Sequence, residues 1–149
     1  MASRVTKSEL GVLEMRLGAD IAEGPVLSQL DVRQFQVAKA AVRVGVDAVL
    51  AAAGVRACDL ERVSVAGAFG SALDPGDLVV LGVLPMSVSD RIVRAGNASL
   101  DGAAAVALEP SLAPMASNSA GSAVHVQLAA DPGFARAVVE ATTLSPYGT

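Results

Sequence analysis

The chain has 149 residues, a formal net charge of −4 and 52% apolar residues, but only three Phe, one Tyr and no Trp. This length suffices for one domain with a core of Ala, Val and Leu, and the lack of a basic, aromatic-rich cluster excludes a nucleic-acid partner. The single cysteine, Cys58, excludes a disulfide, an iron–sulfur cluster or a zinc site built only from cysteines of this chain. Charges within the apolar stretch 35–55 exclude a membrane span. We expect a cytoplasmic location.

The N-terminal part predicts a short strand after a flexible start. We assign residues 1–9 to a flexible N-terminus and residues 10–149 to one α/β domain. Apolar and charged residues alternate from Val12 to Leu17, which is typical of a half-buried strand. Residues 18–27 contain Gly and Pro and predict a loop.

A long helix is predicted over residues 29–53. Ser28 and Asp31 have the spacing of a capping box, and Gly54 is a typical C-terminal stop. Helical periodicity gives it two stripes. The apolar stripe comprises Phe35, Ala38, Val42, Val46, Val49 and Ala53. The polar stripe, most simply a solvated face, comprises Gln29, Arg33, Gln36, Lys39, Arg43 and Asp47. Gly45, inside the helix, suggests that another group packs close to its backbone.

The remaining chain alternates predicted strands and helices, which argues for a layered α/β domain. The predicted strands are 63–66, 91–95 and 124–128. The predicted helices are 75–81, with Asp74 as its cap, then 99–108, and 132–142, with Asp131 as its cap. Residues 109–122 predict a loop or a poorly formed helix.

The segment Val63–Gly70 is the strongest candidate for a binding site. A β-branched run ends in Gly67 and Gly70, and glycines permit backbone angles and close approaches that other residues do not. A strand that ends in such a turn before a helix often holds a nucleotide. A tight turn without a ligand is the simpler interpretation of this motif alone, and Phe69 is more often a core residue than a base-stacking one.

No other residue pattern indicates a complete active site. His125 is expected to face outward from its strand, Cys58 lies in a turn, and Asp74 fits a helix cap better than a catalytic acid. Asp101 could contact a metal-bound phosphate, although acids are common at helix starts. Neither a catalytic triad nor a Walker A sequence is present.

Taken together, four segments resemble one protein family. They are Ser28–Val42, Val65–Pro75, Leu81–Pro85 and Ala95–Ala103. Their order and spacing are similar to the C-terminal domain of the ATP-dependent reductive activators of corrinoid proteins, over about residues 12–140. The resemblance implies half of an ASKHA domain (actin-like, ribonuclease H-like), a mixed sheet with packed helices. This superfamily includes acetate and sugar kinases, heat-shock chaperones and actin.

The resemblance also implies a function. The activators return cobalt from Co(II) to Co(I) with an electron from an iron–sulfur cluster, and ATP binding and hydrolysis drive the transfer. By position, Gly67, Ala68, Phe69 and Gly70 match the adenosine-binding loop, and Gly96, Asn97, Gly102 and Ala103 match a second connecting segment. Gln36, Lys39 and Arg43 of the long helix become candidate contacts to the adenine pocket.

The implied ligand is ATP or ADP with Mg, in an incomplete site, because the phosphate-binding half and the ferredoxin cysteines are not in this sequence. The implied partners are that N-terminal half and the ferredoxin domain, or a subunit that carries them, and a corrinoid protein. Gln127 stands where we expect an acidic residue. Two alternatives stay open: a non-catalytic interaction or homodimerisation module, and the ASKHA activator of a 2-hydroxyacyl-CoA dehydratase, which the single cysteine disfavours.

Overall fold

The structure is a computed structural model that describes residues 4–18, 23–67 and 72–148. Its first sheet is antiparallel, with strand order β1-β2-β3: β1 is Val5–Lys7, β2 is Leu13–Arg16 and β3 is Val26–Ser28. Met15 lies between Val5 on one neighbouring strand and Leu27 on the other. The alternating pattern therefore predicted β2 correctly. Both β1 and β3 fall where we expected a flexible start and a loop.

Helix α1, Gln29–Ala53, has the predicted bounds and the predicted caps. The Ser28 hydroxyl accepts from the Asp31 N–H at 3.2 Å, and the Asp31 carboxylate accepts from the Ser28 N–H at 2.8 Å. This capping box is therefore confirmed. Gly54 ends the helix with a φ of 66°, which glycine adopts readily.

A second, parallel pair of strands follows α1. Strand β4, Val63–Val65, pairs with β5, Ile92–Arg94. Helix α2, Pro75–Val80, lies between them in sequence, and the Asp74 carboxylate caps it by accepting from the Gly76 N–H at 2.8 Å. The predicted cap at Asp74 is confirmed.

The C-terminal part is helical. Helix α3 is Ala98–Leu108, α4 is Ala113–Gly121 and α5 is Phe134–Ala141. The prediction of a strand at 124–128 was wrong, because residues 123–127 have no regular structure and Leu128–Ala130 form a 3₁₀ turn. Alternation of apolar residues indicates a strand only where a neighbouring strand is available.

Two small cores hold these elements together. In the first, Ala40 and Val44 of α1 pack against Ala141 of α5. In the second, Leu78, Leu84 and Val88 pack beneath the β4–β5 pair. Among the described residues, no helix is long and apolar enough to cross a membrane.

The chain leaves much of its apolar surface uncovered. Its accessible surface is 10362 Å², whereas a compact protein of 14.9 kDa is expected to expose about 7,000 Å². Val42 and Val49 of α1 are 50% and 56% exposed. The amount of exposed apolar surface indicates that a further polypeptide surface can pack against this chain.

Candidate functional site

The candidate site lies at the carboxyl ends of the parallel strands β4 and β5. Gly67 lies two residues after the end of the Val63–Val65 strand, and its N–H donates to the Gly96 carbonyl at 2.8 Å. Both glycines have positive φ, 97° and 61°, so other residues would be strained at these positions. The structure therefore brings together two segments, 29 residues apart in sequence, that sequence analysis assigned to one site.

The turn after β5 leads into helix α3. The Asn97 side chain caps this helix by accepting from the Leu100 N–H at 3.4 Å. Gly102 lies inside α3, is exposed, and has open space where a Cβ would stand. Asp101 lies near Gly96: its Oδ2 is 4.0 Å from the position of a Cβ built on that glycine. This edge therefore combines glycine backbone at Gly67 and Gly96 with the nearby Asp101 carboxylate.

An ion pair that sequence analysis missed also borders this edge. Arg94, the last residue of β5, lies 3.5 Å from the Asp74 carboxylate that caps α2. Both side chains are half-exposed or more, so the pair adds little stability by itself. It does link the start of α2 to the end of β5. Ala68, Phe69 and Gly70, the rest of the predicted loop, lie outside the described residues.

Part of the polar stripe of α1 is covered, contrary to the simplest sequence interpretation, whereas Gln29, Arg33 and Asp47 of that stripe are exposed. Lys39 is 2% exposed, and its ammonium donates to the carbonyls of Gly82 at 3.2 Å and Thr143 at 2.5 Å. Burial, with a smaller effect of Arg43, lowers the Lys39 pKa. The predicted apolar stripe is instead largely exposed, with Phe35 at 41%. The C-terminal tail Thr143–Gly148 covers the part of the polar side that carries Lys39 and Arg43.

Arg43 holds the same tail through an aromatic contact. Its guanidinium lies 3.8 Å from the centroid of the Tyr147 ring and 3.9 Å from the Asp47 carboxylate. The Tyr147 hydroxyl is buried beside Asp47 and makes no hydrogen bond to any residue that the structure describes. Burial first, and the Asp47 charge second, raise the pKa of Tyr147. Partial burial likewise raises the pKa of Asp47, and Arg43 opposes that rise.

Backbone contacts complete the attachment of the tail. The N–H of Met86 donates to the Tyr147 carbonyl at 2.7 Å, and that of Ser87 donates to the Gly148 carbonyl at 3.2 Å. Gly82, with a φ of 70°, has no room for a Cβ, which would stand 2.2 Å from the Ser145 carbonyl oxygen. Sequence analysis missed this tail; the glycines at 82 and 148 are the sequence signal that could have indicated close packing.

The predicted site residues thus fall into two groups in the structure. Gly67, Gly96, Asn97 and Gly102 border the strand ends. Gln36 is partly buried on α1, whereas Lys39 and Arg43 face the tail. Among the described residues, no hydrogen bond or ion pair joins these α1 side chains to the strand-end group, and no three His, Cys, Asp or Glu residues could together hold a metal ion.

Comparisons with known proteins decide the family. Residues 3–149 match the sequence profile of the family described as the C-terminal domain of RACo, the ASKHA domain. The chain belongs to this family. The resemblance and the fold class inferred from the four segments are therefore confirmed.

Two relatives show how much of a longer protein this domain represents. The corrinoid activation enzyme RamQ of Eubacterium limosum is 32% identical over 109 residues, which are 73% of this chain and 18% of RamQ. A solved structure described as a reductive activator for corrinoid, iron–sulfur protein superposes with a TM-score of 0.82 at 26% identity. The superposition covers 96% of this chain and 23% of that one, so the RACo C-terminal domain described here spans less than a quarter of either relative.

Proposed function

We propose that this chain supplies the adenosine side of an ATP site in an ATP-dependent reductive activator of corrinoid methyltransferase proteins. The observation that carries the proposal is the hydrogen bond from Gly67 to Gly96, which joins two positive-φ turns at the ends of parallel strands. In open sheets, ligands bind beyond the carboxyl ends of the strands. The relatives named as corrinoid activators support the biological role.

The residues at the strand ends suit an uncharged part of a nucleotide. Gly67 and Gly96 leave the backbone open to a flat base or a ribose, since no side chain shields it. Asn97 and Gly102 would border the same ligand from α3. Ala68, Phe69 and Gly70 remain part of the proposal, although they lie outside the described residues.

The three candidate residues of α1 would contribute to nucleotide binding in different ways. Gln36 is partly buried and has no side-chain hydrogen bond in the described structure, so it can donate to or accept from an adenine ring. The Lys39 ammonium already donates to two carbonyls and retains one N–H. Arg43 would have to leave the Tyr147 ring to contact a nucleotide, so we assign Lys39 and Arg43 lesser roles than Gln36.

The phosphate side of the site must come from elsewhere. The described residues offer no carboxylate cluster for Mg²⁺, and hydrolysis requires preorganised groups around the γ-phosphate. We assign these groups to an N-terminal ASKHA half, and the iron–sulfur cluster to a ferredoxin domain, either in the same protein or in a separate subunit. When bound, ATP supplies the free energy that drives the electron to the cobalt of the corrinoid protein. The chain alone is expected to show negligible ATPase activity.

A non-catalytic interaction module is the second candidate function. The exposed apolar face of α1, with Val42 and Val49 at least half exposed, favours it. This candidate predicts that the domain binds protein surfaces and no nucleotide.

Calorimetric titration with ADP, to about 5 mM because a half site binds weakly, separates the two functions. Gly67→Ala should abolish ADP binding. Gly54→Ala is the matched control, because Gly54 also has positive φ and no atom within 4 Å of a Cβ, yet lies at the end of α1. Equal affinity in both variants would contradict the site. Absence of ADP binding in the unmodified chain would favour the interaction module.

A further inference from the structure

One arginine at the candidate site has hydrogen-bond donors that the described chain does not use. Arg94 is the last residue of β5, two residues before the Gly96 carbonyl that accepts from Gly67. Its ion-pair partner is the Asp74 carboxylate, whose Oδ2 lies 3.5 Å from the Arg94 Nη2. Charge-assisted hydrogen bonds are shorter, about 2.7–2.9 Å. Among the described residues, the Arg94 side chain makes no hydrogen bond, so its N–H groups are available to a ligand.

The register of β5 fixes where the Arg94 side chain lies. Arg94 stands opposite Val65, the last residue of β4, in the parallel pair. Ile92, two residues earlier on β5, packs against the core that contains Leu78 of α2. Side chains two residues apart in a strand lie on the same face, so Arg94 extends over the face that α2 covers. The ion pair with Asp74, the cap of α2, agrees with this placement.

Asp74 holds the guanidinium of Arg94 but does not satisfy its hydrogen-bonding geometry. One carboxylate oxygen of Asp74, Oδ1, accepts from the Gly76 N–H at 2.8 Å, and the other, Oδ2, faces Arg94. A guanidinium binds best to a group that offers it two oxygens at once, and a phosphate does so. The Arg94 side chain is 48% exposed, which leaves space for a ligand group. A phosphate is therefore the ligand group that this arginine suits.

Arg94 also differs from the other arginines beside the parallel strands in the end at which it lies. Arg62 directly precedes β4 and Arg91 directly precedes β5, so both lie at the amino ends of these strands. Arg91 donates to the carbonyls of Cys58 and Leu60 at 2.7 and 2.8 Å, which gives it a structural role. Arg94 lies at the carboxyl ends, beyond which ligands bind in open sheets. A ligand at the strand ends would therefore meet Arg94 and neither of the others.

We propose that Arg94 binds the phosphate next to the ribose of the nucleotide, so that this chain distinguishes a nucleoside phosphate from a nucleoside. This role of Arg94 rests on the proposed function, with adenosine at Gly67 and Gly96. The Asp101 carboxylate, whose Oδ2 is 4.0 Å from a Cβ position on Gly96, repels a phosphate and has no ion-pair partner among the described residues, whereas Arg94 itself neutralises Asp74. The uncharged adenosine therefore lies beside Asp101, and the phosphate chain leaves over Arg94 towards the start of α2. The γ-phosphate and Mg²⁺ stay with the groups assigned to the N-terminal half.

Titration of the full 149-residue chain with two ligands tests this role. ADP and adenosine are added separately without Mg²⁺, and the amide NMR signals of the isotope-labelled chain report weak binding and folding together. Arg94→Gln should weaken ADP binding about tenfold or more, because a charge-assisted contact is lost, and should leave adenosine binding unchanged. Arg62→Gln is the matched control and should change neither affinity, because Arg62 is also exposed beside a parallel strand but lies at the opposite end. Arg94→Lys keeps the charge without the planar fork and should lose less than Arg94→Gln.

Salt dependence gives a measurement that a merely structural role of Arg94 would not change. The ADP affinity of the unmodified chain should fall as ionic strength rises, because salt screens the contact, and that of Arg94→Gln should fall less. If the unmodified chain binds neither ligand, the proposed nucleotide site is refuted, and the role of Arg94 with it. If both ligands bind and Arg94→Gln weakens ADP no more than Arg62→Gln does, or weakens adenosine equally, the site stands and the role of Arg94 is overturned.

Discussion

Replacing Lys39 by methionine tests whether the buried ammonium holds the C-terminal tail in place. The variant Lys39→Met keeps the unbranched stem but removes the donors to the Gly82 and Thr143 carbonyls, 3.2 and 2.5 Å from Nζ. Hydrogen bonds from charged donors contribute about 1.5–3 kcal/mol each, so two contribute about 3–6 kcal/mol. The Lys39 ammonium is 2% exposed, so its burial costs free energy. Removing the charge recovers this desolvation cost and offsets part of the lost hydrogen-bond energy. We expect a net destabilisation of about 2–4 kcal/mol.

Urea unfolding monitored by circular dichroism measures this loss as a decrease in the free energy of unfolding. The control Arg33→Met changes an exposed cation on the same helix and should shift that free energy by no more than about 0.5 kcal/mol. A Lys39→Met chain as stable as the unmodified protein would refute the structural role of Lys39. It would also return this lysine to the group of candidates for direct nucleotide contact.

The pH dependence gives an independent measurement on the same residue. Burial lowers the Lys39 pKa in the folded chain, so the unfolded chain binds this proton more tightly. Between the folded pKa and the ordinary value of 10.5, the unfolded state therefore carries more protons, and stability rises with pH. Lys39→Met should lack this part of the rise. Identical pH slopes for the two proteins below about pH 10 would contradict the lowered pKa.

Four further changes have directions fixed by the structure. Tyr147→Phe should leave stability at pH 7 equal or higher, because the buried hydroxyl has no hydrogen bond. It should also remove a loss of stability above about pH 10, where tyrosine ionises in the unfolded chain before it does in the folded one. Gly82→Ala should destabilise by about 2 kcal/mol or more, since its Cβ would overlap the Ser145 carbonyl. Gly102→Ala should stabilise by up to about 1 kcal/mol while weakening ADP binding if the nucleotide approaches α3 there. Ser28→Ala should lower the free energy of unfolding by about 1 kcal/mol through loss of the capping box. Denaturant unfolding, with ADP titration for Gly102→Ala, measures each effect.

Local signals in the sequence predicted the boundaries of α1 and α2 well, whereas α5 begins at Phe134 after Gly133 and lacks the predicted side-chain cap from Asp131. The ends of α1 follow from Ser28, Asp31 and Gly54, because capping depends on residues within one turn of the helix end. The cap at Asp74 was predictable for the same reason. The hydrogen bond that joins Gly67 to Gly96 was not predicted, since no local pattern states which strands become neighbours.

The orientation of α1 was not predictable from its periodicity. Periodicity identifies two faces but not which surface each one meets, and here a lysine stem with two carbonyl acceptors lies in the covered face. The acceptors come from the turn at Gly82 and from Thr143, which is 104 residues away from Lys39. A sequence pattern carries no record of contacts at that separation.

The exposed valine face of α1 and the incorrect prediction of a strand at 124–128 concern the two walls of one groove. A helix face rich in valine is either covered by another surface in the working protein or left exposed at a cost in solubility. The segment 124–126, whose backbone groups make no hydrogen bond among the described residues, lies across an apolar groove from that face. The predicted strand at 124–128 was wrong because alternation of apolar residues produces a strand only where a neighbouring strand supplies hydrogen-bond partners, and no described segment does so here.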